Sequence, residues 1–288
     1  MISGADGFLG RALAAAFAGA GWQVFGLVRN SANKTLPGEL SDAFEYSFPD
    51  RIAPAAFEIP VDLFVHCAFT SQMTANTDAG FDMAAARFLL KRFESSRFVF
   101  VSSMSAHPNA YSRYGLSKLA IEKLMDPSRD IVVRPGFIVG YGGVFRRLAL
   151  VLAKFPVVPL FFGGSRPIQT VYVDDVCRSI LRLVEERRAG VWPVGEEIPL
   201  TIRGFYETLT GWLCKRPLFL PLPATLALDV LRLVELSGVR LPMTSENLLG
   251  LKGLISYDIS PTIDAVGFRP ISFAESLKLM DPGILQRP

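Results

Sequence analysis

A serine, a tyrosine and a lysine form the set of residues in this chain that is best suited to proton transfer. Tyr114 and Lys118 belong to the segment Tyr-Gly-Leu-Ser-Lys, and Ser103 lies upstream, after the apolar run 98–101. Residues four apart share one helix face, so the ammonium can approach the phenol and is expected to lower its pKa. A serine at a strand end can hydrogen-bond the same substrate oxygen. The three side chains are typical of a proton relay at a carbon that exchanges hydride.

A glycine-rich turn opens the chain, and an alanine-rich amphipathic stretch, Arg11–Ala20, follows it. Glycines at this spacing permit a tight turn, close approach of the backbone to a pyrophosphate, and close packing of the next helix. The helix N-terminus then offers N–H groups to the phosphates. The sequence therefore predicts a dinucleotide site that comprises Gly4, Asp6, Gly7, Phe8, Leu9 and Gly10.

With this turn at one end and the Ser103, Tyr114 and Lys118 set later, the chain resembles the short-chain dehydrogenase/reductase superfamily. It is most similar to the extended branch of NAD-dependent epimerase/dehydratase-like enzymes, whose glycine spacing, Gly-x-x-Gly-x-x-Gly, is the spacing found here. The resemblance extends to Arg134-Pro135-Gly136, to Gln169–Asp175 and to residues 266–270. It implies an α/β fold: a Rossmann-like doubly wound parallel sheet with a smaller, mainly helical C-terminal substrate lobe. It also implies an enzyme in which Tyr114 is the acid/base and Lys118 its electrostatic partner.

The resemblance implies further cofactor contacts. Tyr114 and Lys118 would lie at the nicotinamide ribose, and Pro135 and Phe137 at the nicotinamide. The turn Cys67-Ala68-Phe69 and the strand residue Ser102 complete the set of expected contacts.

The residue after the second predicted strand bears on the choice between NAD and NADP. NAD-specific relatives usually carry an acid there, which binds the ribose hydroxyls, whereas this chain has Arg29 followed by Asn30. An arginine cannot accept those hydrogen bonds, but it can pair with a 2′-phosphate. We therefore expect NADP to be preferred to NAD; a solvated loop arginine is the alternative.

Substrate contacts are expected from two segments. Met104 and Ser105 follow Ser103 and are expected to line the reacting pocket, and Arg146 and Arg147 could neutralise a diphosphate. Paired arginines on a helix are also common as solvated residues. Dehydratase relatives carry an Asp-Glu pair where this chain has Met104-Ser105, which excludes dehydratase chemistry.

Three functions fit these residues. The first is hydride transfer at a secondary alcohol or ketone of a nucleotide-activated sugar, as in an epimerase or a 4-keto-reductase. The second is reduction or oxidation of an apolar alcohol or ketone, as in the 3β-hydroxysteroid and dihydroflavonol branches. Phe137, which stands where sugar-nucleotide relatives often have asparagine, suits the second. The third is a catalytically silent cofactor-binding protein, against which the complete Ser103, Tyr114 and Lys118 set argues.

Apolar runs alternate with amphipathic stretches through the first two thirds of the chain, as in βαβ units. The pattern predicts a dinucleotide-binding domain over 1–140, to which 170–195 returns, and a substrate lobe formed by 141–169 and 196–288. The predicted elements are strands Trp22–Val28, Leu63–Cys67, Phe98–Ser102 and Ile131–Arg134 and helices Arg11–Ala20, Asp78–Phe93 and Tyr114–Met125. Only Met1–Ser3 precede the glycine turn, so either the first strand is short or the natural start lies upstream.

Composition limits the partners. Thirty basic and 27 acidic residues give a net charge of +3, too small and too dispersed to indicate nucleic acid. Three cysteines without metal-ligand spacing suit the reducing cytoplasm and predict no metal site. Prolines and charges interrupt both long apolar stretches, Leu148–Phe162 and Leu218–Val234, so no membrane span is expected, although peripheral membrane contact stays open. We expect a small-molecule substrate and, by analogy with relatives, a possible homodimer.

Overall fold

A parallel sheet forms the centre of the protein. The computed structural model describes residues 1–29, 36–47, 51–70, 80–237 and 243–285. Eight strands lie in the order β12-β7-β6-β5-β1-β2-β3-β4, and all neighbours are parallel except β3 and β4. They are β1 Ile2–Ser3, β2 Phe25–Val28, β3 Asp42–Ser47, β4 Arg51–Ile52, β5 Leu63–His66, β6 Arg97–Val101, β7 Ile131–Pro135 and β12 Gly190–Val194. The central strands are buried on both faces, which explains why they are near-continuous apolar runs.

Helices cover both faces of this sheet. On one face, α1 (Phe8–Gly19) and α5 (Val173–Glu185) pack their apolar residues into a core with the inward residues of β1, β5 and β7. On the other, α2 (Gly80–Arg92) and α3 (Arg113–Glu122) pack against a phenylalanine-rich core from β5 and β6. The expected Rossmann-like doubly wound sheet is therefore confirmed.

Most of the remaining elements surround two further apolar cores, whereas Ala265 and Val266 pack into the first core, with α1 and α5. The helices are α4 Gly143–Lys154, α6 Ile202–Trp212, α7 Ala224–Leu236, α8 Ser245–Lys252, α9 Ser260–Val266, α10 Phe273–Lys278 and α11 Pro282–Leu285. The strands form three pairs, β8 (Phe137–Val139) with β11 (Thr170–Tyr172), β9 (Val157–Phe161) with β14 (Leu218–Leu222), and β10 (Pro167–Ile168) with β13 (Leu200–Thr201). The sequence did not predict β9 and β14, because each contains a proline that weakens the strand signal. The boundaries of the two expected domains stay a prediction.

Several helices and strands begin or end a few residues away from their predicted positions. Strand β2 begins at Phe25 rather than Trp22, and α3 ends at Glu122 rather than Met125, since the last residues form a turn. Helix α2 begins at Gly80, and its predicted start at Asp78 lies outside the described residues. Across the described ranges, every helix is too short or too polar to cross a membrane.

Candidate active site

The carboxyl end of β6 and the first turn of α3 bring Ser103 and Tyr114 together. Ser103 follows β6 directly, and its hydroxyl hydrogen-bonds the Tyr114 phenol. Burial raises the pKa of Tyr114 to about 12, which outweighs the lowering by the Ser103 hydrogen bond. The expectation that Lys118 would lower this pKa is wrong in this geometry, because the desolvation of the phenol dominates. Tyr114 is therefore a protonated phenol at neutral pH.

A glycine next to the tyrosine permits this contact. A Cβ atom at Gly115 would lie 2.3 Å from the backbone oxygen of Ser105, far inside van der Waals contact. Ser112 caps the helix, since its side chain accepts a hydrogen bond from the Gly115 amide at 3.2 Å. Helix α3 can therefore approach the loop after β6 closely enough for Tyr114 to reach Ser103.

Lys118 is buried among aromatic rings one turn further along α3. Its Nζ donates to the Val101 oxygen at 2.6 Å and lies 3.9 Å from the Phe69 ring centroid and 5.8 Å from that of Tyr114. Phe69 meets Tyr114 edge to face, with centroids 5.3 Å apart. Burial lowers the pKa of Lys118 to about 8, although neighbouring acids oppose the shift. The ammonium is thus held by cation–π contacts and one carbonyl, and it stays mostly charged at neutral pH.

A buried carboxyl group of α2 acts on both Tyr114 and Lys118. Oδ1 of Asp82 accepts hydrogen bonds from the amide and the hydroxyl of Thr70, each at 3.1 Å. Burial raises the pKa of Asp82, and its charge raises the pKa values of Lys118 and Tyr114. Asp82 was not among the residues that the sequence singled out, because a lone acid in a first helical turn is a common feature.

A second buried carboxyl group ties α3 to the sheet. Glu122 receives two hydrogen bonds from the guanidinium of Arg134, at 2.9 and 2.5 Å, and one from the Ser102 hydroxyl. Side-chain exposures of 6% for Glu122 and 17% for Arg134 place the pair in the interior. The Glu122 hydrogen bonds raise the pKa of Arg134. Ser102, which the sequence assigned to the cofactor, thus anchors the catalytic helix.

The glycine turn forms a backbone cradle beside β5. Gly4 has φ +70°, and a Cβ atom there would lie 3.1 Å from the backbone of Ala68. A Cβ atom at Gly10 would lie only 2.1 Å from the Gly4 oxygen. The Gly7 amide closes the turn by donating to the same oxygen at 2.9 Å. The turn therefore packs closely through its glycines at the N-terminus of α1.

The other predicted turn residues have varied surroundings. The Phe8 ring lies against the glycines of the turn 140–143, where a Cβ atom at Gly142 would come within 2.4 Å of it. Leu9 packs against the core below α1. The backbone oxygen of Asp6 accepts a hydrogen bond from Arg11 Nε at 3.1 Å. The structure thus places Phe8 where the glycine turn meets the start of α4.

A serine at the end of β1 organises the turn after β5. The Ser3 hydroxyl accepts from the amides of Cys67 and Ala68, at 3.2 and 3.3 Å, and lies 2.7 Å from His66 Nδ1. A hydroxyl that accepts two N–H groups has its own proton to donate, so His66 Nδ1 is the acceptor and the ring is neutral. Burial lowers the pKa of His66 to about 3, with a smaller contribution from Lys118.

This histidine makes acid sensitivity testable. The unfolded chain binds a proton at His66 below about pH 6.5, whereas the folded chain does so only near pH 3, so stability is full above 6.5 and falls as the pH drops. Below that pH the loss approaches about 1.4 kcal/mol per pH unit. Urea unfolding at a series of pH values should show a smaller loss for His66→Gln than for the wild type. Parallel pH curves for the two proteins would contradict the assignment.

Arg29 follows β2 directly and is exposed. Its guanidinium hydrogen-bonds the Tyr46 hydroxyl of β3. Burial raises the pKa of Tyr46 to about 12, although Arg29 opposes the shift. The neighbouring Asn30 lies outside the described residues. Arg29 is therefore positioned by β3, and its role toward a cofactor stays a prediction.

The residues expected near the nicotinamide and the substrate are mostly packed into the structure. Phe137 meets Phe205 and Phe145 edge to face in an apolar core, with centroids 5.4 and 6.5 Å apart. Met104 is 8% exposed, and its amide donates to the Pro135 oxygen at 3.0 Å. Its side chain lies against Gly136 and Gly195, whose missing Cβ atoms leave room for it. These residues build an apolar wall.

The remaining predicted substrate residues differ in exposure. The Ser105 amide donates to the Ser103 hydroxyl oxygen at 3.1 Å, so Ser105 belongs to the catalytic loop. Arg146 and Arg147 lie in the first turns of α4, which begins beside Phe8; Arg147 is exposed and Arg146 half-buried. Their contact with a substrate stays a prediction.

The C-terminal part of the chain contacts α3, the helix that carries Tyr114 and Lys118. A carboxylate oxygen of Glu246, in α8, accepts from the Arg113 amide at 2.7 Å, at the N-terminus of α3. The His107 Nε2 atom lies 2.8 Å from the Gly253 oxygen. A carboxylate at a helix N-terminus is favourable for both the free amide and the helix dipole. Helix α8 is therefore fixed directly beside Tyr114.

Comparisons with known proteins identify the family and agree with the fold. The sequence profile of the NAD dependent epimerase/dehydratase family matches residues 1–195. Over 211 residues, 64% of its length, the chain is 33% identical to a ceramide reductase of Caulobacter vibrioides, of which it spans 62%. It is 24% identical over 269 residues, 87% of its length, to the mitochondrial NADH dehydrogenase [ubiquinone] 1 alpha subcomplex subunit 9 of Arabidopsis thaliana, of which it spans 67%. The crystal structure of Thermus thermophilus UDP-glucose 4-epimerase in complex with NAD shares the fold, with a TM-score of 0.71 at 17% identity over 99% of this chain and 98% of the other.

Proposed function

The chain belongs to the NAD-dependent epimerase/dehydratase family of enzymes, and on that premise we propose that it transfers hydride between NAD(P) and a secondary alcohol or ketone. One observation carries the proposal. The carboxyl end of β6 brings together Ser103, Tyr114 and Lys118. Phe69 contacts both Tyr114 and Lys118, and the residue before it, Ala68, lies next to Gly4 of the glycine turn. Ligands bind at this edge of parallel sheets.

The residues at the carboxyl ends of the strands fit a dinucleotide. A Cβ atom at Gly10 would lie 2.1 Å from the Gly4 oxygen, so the tight turn needs glycine there, and the α1 N-terminus provides amides that suit a pyrophosphate. Arg29 would meet the adenosine ribose and Lys118 the nicotinamide ribose. When bound, the nicotinamide supplies or accepts the hydride.

The protonated phenol favours the reducing direction. Tyr114 keeps its proton far above neutral pH and can therefore donate it to a carbonyl oxygen as that oxygen gains charge. Ser103 hydrogen-bonds the phenol and would also hydrogen-bond the same substrate oxygen. Lys118, charged and held next to Tyr114, would stabilise the phenolate that donation leaves.

For the substrate we favour an apolar ketone over a nucleotide sugar. Phe137 and Met104 are packed into apolar surroundings and offer no side-chain hydrogen bond to a sugar. Among the relatives, the one at 33% identity is named for the reduction of a lipid. These observations support the second of the functions that the sequence suggested.

A substrate panel tests this choice. Oxidation of NADPH would be followed with a long-chain aliphatic ketone and a steroid ketone. With UDP-glucose and UDP-galactose, which offer no carbonyl to NADPH, interconversion of the two sugars in the presence of NAD would be followed instead. We expect turnover with an apolar ketone and none with the nucleotide sugars. Interconversion of the two UDP-sugars, without turnover of either ketone, would overturn the apolar assignment and leave the hydride-transfer proposal standing.

One observation favours the nucleotide sugar as a second candidate. Residues 131–173, which carry Arg146 and Arg147 at the start of α4, contain five basic residues and no acid, and a diphosphate needs such a cationic site. If this candidate is right, calorimetry should detect UDP binding to the cofactor-loaded protein, and the double variant Arg146→Ala/Arg147→Ala should lose it. An unchanged UDP affinity in that variant would remove these arginines from the site.

The choice of NADP over NAD rests on Arg29. We expect Arg29→Ala to weaken NADP binding by about 1.5–3 kcal/mol, the range for a hydrogen bond to a charged group, and NAD binding much less. Fluorescence titrations with both dinucleotides would measure the difference. Tyr46→Phe is the matched control, because it removes the hydrogen-bond partner of Arg29 but keeps the cation. Tighter binding of NAD than of NADP by the wild type would contradict this expectation.

A further inference from the structure

The β9–β14 pair carries an exposed apolar strip with cations at one end. The strands are parallel, with Leu218 opposite Val157 in register. Phe155 and Leu218 are 54% and 65% exposed, and Leu220 and Leu222 further along β14 are also exposed. The residues just before the strands, Lys154, Lys215 and Arg216, are exposed as well. Because the strands are parallel and in register, these cations lie at the same end of the pair.

Helix α7, which follows β14 after Pro223, carries a second apolar strip. Leu226, Val230, Leu233 and Leu236 recur at helical spacing and are all at least half exposed. The opposite face is packed, since Leu231 is buried in a core with Phe161 of β9 and Leu248 of α8. Asp229 and Arg232 lie at the edge of the exposed strip. Most surface helices turn their leucines inward, so an outward leucine face on an ordered helix indicates a partner.

The charged residues that precede β9 and β14 are cations, whereas α7 carries both Asp229 and Arg232 beside its leucine face. Residues 131–173 contain five basic residues and no acid, and residues 208–228 contain two basic residues and no acid. These segments include all of β9 and β14 and the first residues of α7. A partner that covers the strips also meets Lys154, Lys215 and Arg216, which are exposed at one end of the β9–β14 pair. An anionic surface meets them with opposite charge.

We propose that the two strips form a docking surface for an anionic phospholipid bilayer. Helix α7 lies in the bilayer interface with its leucine face among the acyl chains, and Lys154, Lys215 and Arg216 meet the lipid phosphates. The contact is peripheral and needs no spanning segment. It does not depend on the substrate of the enzyme.

Vesicle flotation of the full chain tests the proposal. Wild-type protein should float with vesicles of equal parts phosphatidylcholine and phosphatidylglycerol, and more weakly with phosphatidylcholine alone. Leu226→Glu/Leu233→Glu should lower the partition coefficient by roughly tenfold or more for each leucine. Lys215→Gln/Arg216→Gln should lower it by about five-fold per charge on anionic vesicles only, and salt should mimic that loss.

Matched controls separate docking from misfolding and from self-association. Ile198→Glu changes an apolar residue that is 79% exposed outside both strips, and it should float like the wild type. Melting temperatures and NADP binding should be unchanged in the α7 variant, which shows that the fold is kept. Equal flotation of wild type and the α7 variant would overturn the proposal. So would sedimentation analysis in which that variant converts a dimer to a monomer while neither protein binds vesicles, since the strips would then join two copies.

Discussion

Tyr114→Phe is expected to lower turnover by about 10²–10⁴-fold, the usual contribution of a general acid. The substitution removes only the hydroxyl that Ser103 hydrogen-bonds, and it keeps the ring that meets Phe69 edge to face. Because the ring stays, the packing of α3 and the binding of the dinucleotide should be nearly unchanged. Steady-state rates with saturating NADPH and ketone, beside a dinucleotide titration, would separate the two effects.

Tyr111→Phe is the matched control for this variant. Tyr111 lies three residues before Tyr114, is 51% exposed and has Lys252 over its ring rather than the catalytic lysine. The Tyr111→Phe variant should therefore convert substrate at the wild-type rate. Near-normal turnover of Tyr114→Phe would remove the tyrosine from the reaction, whatever the substrate.

Glu122→Ala is expected to destabilise the fold by about 3–5 kcal/mol, the cost of leaving one member of a buried ion pair alone. Arg134 would lose the carboxylate that receives two of its hydrogen bonds, and Ser102 would lose its acceptor. Denaturant unfolding of the wild type and the variant would measure the difference in the free energy of unfolding.

An exposed ion pair provides the comparison. Arg182 and Glu185 pair at 3.2 Å with side-chain exposures of 58% and 43%, so Glu185→Ala should cost less than about 1 kcal/mol. Glu122→Gln, which keeps the shape and one acceptor oxygen, should fall between the two. A loss below about 1 kcal/mol for Glu122→Ala would show that the pair does not anchor α3.

Local signals in the sequence were enough to predict the parallel sheet, the glycine turn and the helix that carries Tyr114 and Lys118. The glycine spacing at Gly4, Gly7 and Gly10 is imposed by backbone contacts that any side chain would break, so it is visible in one short segment. The apolar runs of β5, β6 and β7 reflect burial on both faces of a parallel sheet. The four-residue spacing of Tyr114 and Lys118 follows from helix geometry alone.

Contacts between distant segments could not be predicted in this way. Glu122 meets Arg134, and Asp82 acts on Lys118, only because α2, α3 and β7 pack together. The pKa of Tyr114 is raised, although a lower value was expected from the sequence. The four-residue spacing indicates a nearby positive charge, but it does not reveal that the phenol is buried away from water. The β9–β14 pair was missed because its prolines weaken the strand pattern.

The Glu246–Arg113 hydrogen bond couples the local unfolding of α3 to that of α8. The amide of Arg113 belongs to the first turn of α3, and its acceptor belongs to α8, which is more than a hundred residues away. That turn cannot fray without releasing the carboxylate, so opening of α8 at Glu246 removes one contact that holds the turn beside Tyr114. The rate of hydrogen exchange at the Arg113 amide would then depend on how stably α8 is docked against α3. A ligand that stabilised the docking of α8 would slow exchange at the start of α3.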